Sequence, residues 1–528
     1  MNSNLTLLKT YNMKKIYYLM ATALIAGATS CTNLHEEILD EQNGQQLVSN
    51  PDNLMSVIAP AYINVREIFF KNFQLTTDEL CIPARGSDWK SSNTQPLVLH
   101  DFKSTNTNIR YIWRNTTAGI SACNTALLTM ADLKQTPAVT QCRAEMLFIR
   151  ALLMFTLNDA FGQVPYREYT ETDFSQYPQL LNRKEACEMI ERDLLSIIPT
   201  MKQKGEVEYG HATKAAAQTL LAKLYLNWQV FTGTSPEFTD GTQRWSEVIA
   251  LCNDIINSGK YKLADDWWEL FSADNAKYGD QTETIFPLIN DIKAGVSGDS
   301  WMSNVLHYNQ TFGPYTRLNN GFCTTPEFLA TWDPTDPRYS DDRMKAQTGF
   351  NLGFLEGVQY DVNGNELKTR KGETLNYTRD FPLYDCPENG GVRVVKYAPN
   401  MNATSSSSSD NDVQYYRLTD IYLMRAEAKM RSGDKTGALE DLNTIRRTRG
   451  VKEVSAAEFT LDKIYNERGY EFYWEVGENR RMDMIRFGHF FEARTTKPNV
   501  TEPYKYVFPI PEEALQGNPN LKQNAGYK

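Results

Sequence analysis

The side chains that carry enzyme chemistry are sparse and scattered in this chain. The five histidines, His35, His100, His211, His307 and His489, include no HExxH pair and none at ligand spacing to another His or Cys. A metal hydrolase is therefore unsupported, and no metal site is expected. No GxSxG elbow, P-loop or GxGxxG turn occurs, and no cofactor is implied. A glycoside hydrolase needs two carboxylates, and nothing singles out a pair among 65 acidic residues. The stretch Asp361-Val362-Asn363-Gly364-Asn365-Glu366 has its glycine at the wrong place for a calcium loop and reads as a hairpin turn, as does Ser340-Asp341-Asp342.

The chemistry that remains is recognition by aromatic faces. Asp88-Trp89 lies between Arg85-Gly86 and Ser91-Ser92-Asn93, and Trp301, His307, Tyr308 and Tyr315 lie in a Gly/Ser/Asn-rich stretch. A sugar ring offers a C–H face that stacks on an indole or phenol, and its hydroxyls need planar polar partners to replace lost water. Loop aromatics with Asn, Asp and Arg beside them supply both. Trp113, Trp228 and Trp245 fall on helical patterns and are expected in the core.

Apolar residues recurring at three and four predict helices over 142–162, 182–201, 211–231, 244–259, 415–432 and 434–449, with a further pair over 53–72 and 111–130. The unit 417–450 has the length of a tetratricopeptide hairpin, with small Ala426, Ala428 and Ala438 where two helices approach. The stretches 73–105, 264–342 and 349–412 are rich in Gly, Asn, Asp, Pro and Thr, and long loops that persist tend to be functional. The serine run 405–409 reads as a mobile surface loop.

Lys14-Lys15, an apolar run to Ala26, and small residues ending at Cys31 predict an export signal over 1–30. A cysteine in that place predicts lipidation at Cys31, with 31–528 as one mature domain attached to a membrane by its acyl chains only. The net charge of -10 falls further once Lys9, Lys14 and Lys15 leave with the leader. That balance excludes nucleic acid and makes a highly acidic polysaccharide a poor ligand unless charge is locally reversed. The seven cysteines after Cys31 form no CxxC pair and are expected as small buried hydrophobes rather than a disulfide framework.

Blocks at 143–166, 415–434, 438–451, 467–488 and 508–527, in that order behind the Cys31 lipobox, resemble the SusD/RagB family of surface glycan-binding lipoproteins. The resemblance implies a mostly α fold on four tetratricopeptide-like hairpins, with long irregular loops and a few short strands forming the ligand face. It implies no catalysis, a place on the outer membrane facing the exterior, and delivery of glycan to a TonB-dependent, SusC-like transporter. Capture of peptides for the same kind of transporter is the alternative. The segment 76–93 resembles the one with which starch-type members hold sugar, which implies ligand-binding roles for Arg85, Asp88, Trp89 and Asn93. Here Lys90-Ser91-Ser92 replaces the acidic, Gly-rich continuation of such members. Trp301 and Tyr308 lie where those members supply a second aromatic. Glu467, Arg468, Arg480, Arg481, Asp483 and Arg486 read as a charge network holding the C-terminal helices.

Overall fold

A computed structural model describes residues 51–528 apart from 67–69, 295–300, 407 and 476. The expected leader and Cys31 lie outside the described residues. The body is mostly helical, and its long helices are α1 (Pro51–Arg66), α2 (Thr107–Thr129), α3 (Pro137–Phe161), α4 (Arg183–Ile197), α5 (Lys214–Thr232), α6 (Trp245–Asn257), α7 (Leu418–Arg431), α8 (Lys435–Thr448), α9 (Leu461–Phe472) and α10 (Gly477–Phe487). None of the described helices is long and apolar enough to cross a membrane.

Their ends carry the chemistry that starts and stops helices. Thr136 accepts from Val139 N with proline at the first turn of α3, and Gly162 closes that helix at φ 68°. Asn182 and Glu185 form a reciprocal capping box on α4, and Asp434 accepts from Gly437 N at the start of α8. Each helix packs on the next, α1 on α2 through α6 on α7, and then α7 on α8 and α9. Between α7 and α8 the fully buried Ala426 and Ala438 let the axes close around Leu423, Leu442, Ile445 and Phe472.

Strands are few and short: β1 (Gln163–Tyr166), β2 (Gln179–Asn182), β3 (Thr284–Leu288), β4 (Ser340–Asp341), β5 (Leu352–Leu355), β6 (Gly357–Val358), β7 (Asn376–Tyr377), β8 (Arg393–Val395) and β9 (Val413–Arg417). All pair antiparallel, as β1-β2, β3-β9, β4-β5-β8 and β6-β7. Three expectations need correction. Ser340–Asp341 is strand β4, paired with Leu352 and Gly353 of β5, and not a hairpin turn. Residues 415–417 extend as β9, with Thr284 opposite Arg417, so the helix begins only at Leu418. Ser406 of the serine run is not open surface, because its Oγ accepts from Thr316 N and Arg317 N at 3.0 and 2.9 Å and is buried there.

Beneath the loops lies a dense set of buried ion pairs. Glu471 accepts from Arg338 at 2.8 Å, Arg417 at 2.6 Å and Arg449 at 2.8 Å. Arg468 bridges Asp420 and Asp483, and Arg486 bridges Glu427 and Asp483. Arg480 reaches from α10 to Asp78 at 2.7 Å, and Arg338 also pairs with Glu467 at 2.7 Å. Arg481 pairs with Asp159 of α3 at 2.9 Å. The Arg480–Asp78 pair ties the C-terminal helices to the start of the loop that carries Trp89, and Arg338 ties them to the end of the second long loop region.

Candidate functional site

The loop after the short helix Phe70–Gln74 is held at both ends. Asp78 takes Arg480, and the backbone carbonyl of Thr76 accepts from His100 Nε2 at 2.8 Å. Between them Arg85 and Asp88 exchange both backbone hydrogen bonds around Gly86-Ser87, with Gly86 at φ 65°. That is a two-residue hairpin turn in which a left-handed first residue is required, and glycine supplies it. Trp89 follows at φ 60°, a conformation that costs a non-glycine residue roughly 1–2 kcal/mol. Residues held in such a state by their surroundings concentrate at binding sites.

The surroundings here are specific. Trp89 Nε1 donates to Asn319 O at 2.6 Å, and its ring meets Phe322 edge-on at 5.5 Å. A Cβ on Gly321 would stand 2.5 Å from Trp89 Cζ2, so the indole lies directly on a glycine backbone. The ring is left half-buried at the surface.

A second loop brings Tyr308 to Asp88, with the phenol donating to Asp88 Oδ2 at 2.6 Å. A third brings Arg370, which sits in the 369–373 turn closed by Thr369 N to Glu373 O at 2.8 Å, with Gly372 at φ 84°. Arg370 Nη2 donates to Asp88 Oδ2 at 2.9 Å and Nε to Glu388 Oε1 at 2.6 Å, while its guanidinium lies 3.9 Å over the Tyr308 ring. Buried His307 completes the set. Asn309 N donates to its Nδ1, so Nε2 carries the proton given to Glu388 Oε2 at 3.0 Å.

Electrostatics favours the ionised form of both carboxylates here. Hydrogen bonds from Tyr308 and then Arg370 hold the Asp88 carboxyl below its usual range. Partial burial works against Glu388, yet bonds from His307 and from the Arg370 backbone and side chain bring it down to about 2. Burial lowers His307 in spite of the bond to Glu388. The surface therefore presents one indole face beside a fixed carboxylate, a guanidinium and amides such as the exposed Asn319. It can stack on a ring and exchange hydrogen bonds with hydroxyls. Among the described residues no cluster of His, Cys, Asp or Glu is arranged to hold a metal.

Of the residues singled out from sequence, Asp88, Trp89 and Tyr308 come together at this surface. Arg85 adjoins them but faces inward, donating to Asn320 O at 2.7 Å, Pro387 O at 2.5 Å and Gly390 O at 2.8 Å. Asn93 Oδ1 accepts from Thr107 N and its carbonyl from Asn106 and Asn108, which ties the loop to the start of α2. Trp301 opens the short helix Trp301–Val305, and its side chain lies outside the described ones. His307 and Tyr315, expected in an open loop, are fully buried, the latter stacked 4.8 Å from Phe312. Arg370, Glu388, Asn319 and Gly321 were not found from sequence. The Thr369-Arg370-Lys371-Gly372 turn marked a loop tip, but no local signal tells which tip lands on which aromatic.

Comparison with known proteins supplies the wider setting. A model described as the SusD family matches residues 259–527, and one described as "Starch-binding associating with outer membrane" matches 37–226. The chain is similar to the starch-binding protein SusD of Bacteroides thetaiotaomicron, with 27% identity over 75% of each chain. It is also similar to the SusD-like protein P25 of Formosa agariphila, with 24% identity over 73% of each. Among solved structures, a SusD superfamily protein from Parabacteroides distasonis has a TM-score of 0.69 at 20% identity, covering 90% of this chain and 99% of that one. Surface glycan-binding protein A from B. thetaiotaomicron, solved with laminarihexaose, has 0.67 at 19%, covering 90% and 99%.

Proposed function

Because this chain belongs to the SusD family, we propose that it captures glycan at the Trp89 face and passes it to a TonB-dependent outer-membrane transporter of the SusC-like kind. It is a binding protein and not an enzyme: the relatives with assigned roles are named for binding starch or glycan. None of those named above is named for binding peptide, and the peptide alternative has no support. Its association with the outer membrane follows the family description, and attachment by Cys31 facing the cell exterior is the arrangement that fits capture.

One observation carries the reading. An indole is fixed at φ 60° on the Gly321 backbone, half-buried, beside a pre-ionised Asp88 whose Tyr308 and Arg370 partners are ordered before any ligand arrives. Pre-ordering of that kind removes part of the entropy that sugar binding would otherwise cost. Trp89 supplies the stacking face, and Asp88, Tyr308, Arg370 and Asn319 meet hydroxyls. Arg85 and Asn93 hold the loop in position. Trp301, in the short helix that precedes Tyr308, remains a candidate second platform.

The test is calorimetric titration with a panel of starch and β-1,3-glucan oligosaccharides. Trp89→Ala is expected to weaken binding by about 1.5 kcal/mol, roughly tenfold in affinity, with the melting temperature unchanged. Unaltered affinity would take Trp89 out of the site. A full panel without binding by the unaltered protein would sink the glycan reading itself.

A further inference from the structure

Under the loop face, one cysteine from each of the three long loop regions lies in the same neighbourhood, each a buried free thiol. Cys81 and Cys323 stand directly opposite each other in an antiparallel bridge and exchange both backbone hydrogen bonds, Cys81 N to Cys323 O at 2.8 Å and Cys323 N to Cys81 O at 3.0 Å. Residues paired in that way have Cα atoms about 5.5 Å apart, inside the range of roughly 4.4–6.8 Å that a disulfide spans, and their Cβ atoms, up to about 5.5 Å apart, must close to about 4 Å to link. Directly opposed residues also put their side chains on the same face. Cys386 lies close by, with Sγ 3.0 Å from Arg85 Nη1. Glycines 390 and 391 make room for the sulfurs, since a Cβ at either would stand 2.6 Å from Cys386 Sγ or Cys323 Sγ.

The charge around these thiols is unusual for a core. Arg85 and Arg393 are both buried and donate to carbonyls and to Asn320. Among the described residues Arg393 Nε is left without a partner, and neither side chain meets a carboxylate at ion-pair distance. Two guanidiniums without an anion favour thiolate, the form that attacks disulfides. Against its burial, Cys323 is drawn down by the hydrogen bond from Cys81 and by Arg393 and Arg85. Burial pushes its partner Cys81 well up and Cys386 up to about 11, as it pushes Cys123 and Cys187, single thiols in helices, up to about 12. No metal-holding arrangement accounts for the cluster.

We infer that Cys81 and Cys323 are a disulfide site, closed during folding outside the cytoplasm, that staples the Trp89 loop to the loop carrying Asn319 and Gly321. The inference needs an oxidising compartment, which the export reading provides, and does not depend on which ligand binds. The co-reactant is a small-molecule or protein disulfide. One thiolate attacks it and releases one thiol, the second cysteine attacks the resulting mixed disulfide and releases the other, and two protons leave the cysteines. Both sulfurs are fully buried once the chain has folded, so closure belongs to the folding chain.

The test is refolding of the mature protein from urea in a glutathione redox buffer. Blocking of free thiols under denaturing conditions and peptide mapping then follow. The expected result is a single linked peptide pair joining Cys81 to Cys323, a melting temperature lowered by several degrees on adding reductant, and no such sensitivity in the Cys81→Ala/Cys323→Ala double variant. The same buffer added to protein already folded with free thiols should leave both unlinked. Free Cys81 and Cys323 after oxidative refolding, or either one linked to Cys386 instead, would overturn the assignment. Glycan titration of the same samples is read separately, so loss of binding and absence of the bond remain distinct outcomes.

Discussion

Two regions of this molecule are built from arginine and carboxylate, and they do different work. Around Glu471 three guanidiniums converge on one carboxylate, and each of the four side chains is at most 1% exposed. At the loop face a single guanidinium, Arg370, is shared by Asp88 and Glu388, and it is 48% exposed. In the interior the attraction must offset the desolvation of both charges, so every partner is needed and removal of one leaves buried charge uncompensated. At the surface water screens the pair, which adds little stability but fixes where a carboxylate and an aromatic ring point. The same chemistry makes a frame where it is dry and a recognition surface where it is wet.

That contrast can be broken by mutation. Glu471→Ala is expected to destabilise the fold by about 3–5 kcal/mol, read as the shift in urea unfolding, and a loss below about 1 kcal/mol would erase the distinction between the two regions. Gly321→Ala acts at the surface in the opposite sense. A methyl group there collides with the Trp89 indole, so glycan affinity should fall about tenfold, or 1.4 kcal/mol, with little change in melting temperature. Strong thermal destabilisation without loss of binding would mean that the indole is core rather than platform.

Arg370→Ala should change stability by less than about 0.5 kcal/mol while weakening affinity several-fold in calorimetry, because Asp88 and Tyr308 lose the group that orders them. The smallest effect is in pH. Glu388 is depressed to about 2 in the folded protein and sits near 4.3 in an unfolded chain. Its contribution is therefore complete above about pH 4.3, and is lost as pH falls toward about 2. The melting-temperature gap between the unaltered protein and Glu388→Gln should be constant from neutral pH down to that point and shrink below it. A gap that grows on acidification would reverse the sign.

Much of the scaffold was legible because its signals are local. The 3.6-residue periodicity and the caps at Thr136, Asn182 and Asp434 specify helices within a few residues of chain, and the network residues Arg468, Arg480 and Asp483 were readable as frame. Residues 415–417 were misread because their extension depends on β3, more than a hundred positions away. Ser406 was misread as open surface because its hydroxyl finds backbone partners on the 314–317 turn. At the site the aromatics of the right loops were visible. The inward turn of Arg85 was not, since it depends on carbonyls of residues 320, 387 and 390.

By itself the sequence determined the helical scaffold, the family and the presence of an aromatic-bearing loop at residues 85–89, because periodicity, caps and turn glycines act over a handful of neighbours. Only the tertiary structure decided that Trp89 rests on Gly321, that Arg370 covers Tyr308, and that Cys81 faces Cys323. Those pairings join chain segments tens to hundreds of residues apart, and which of them meet is set by how the loops close over the frame and by no feature of any one segment.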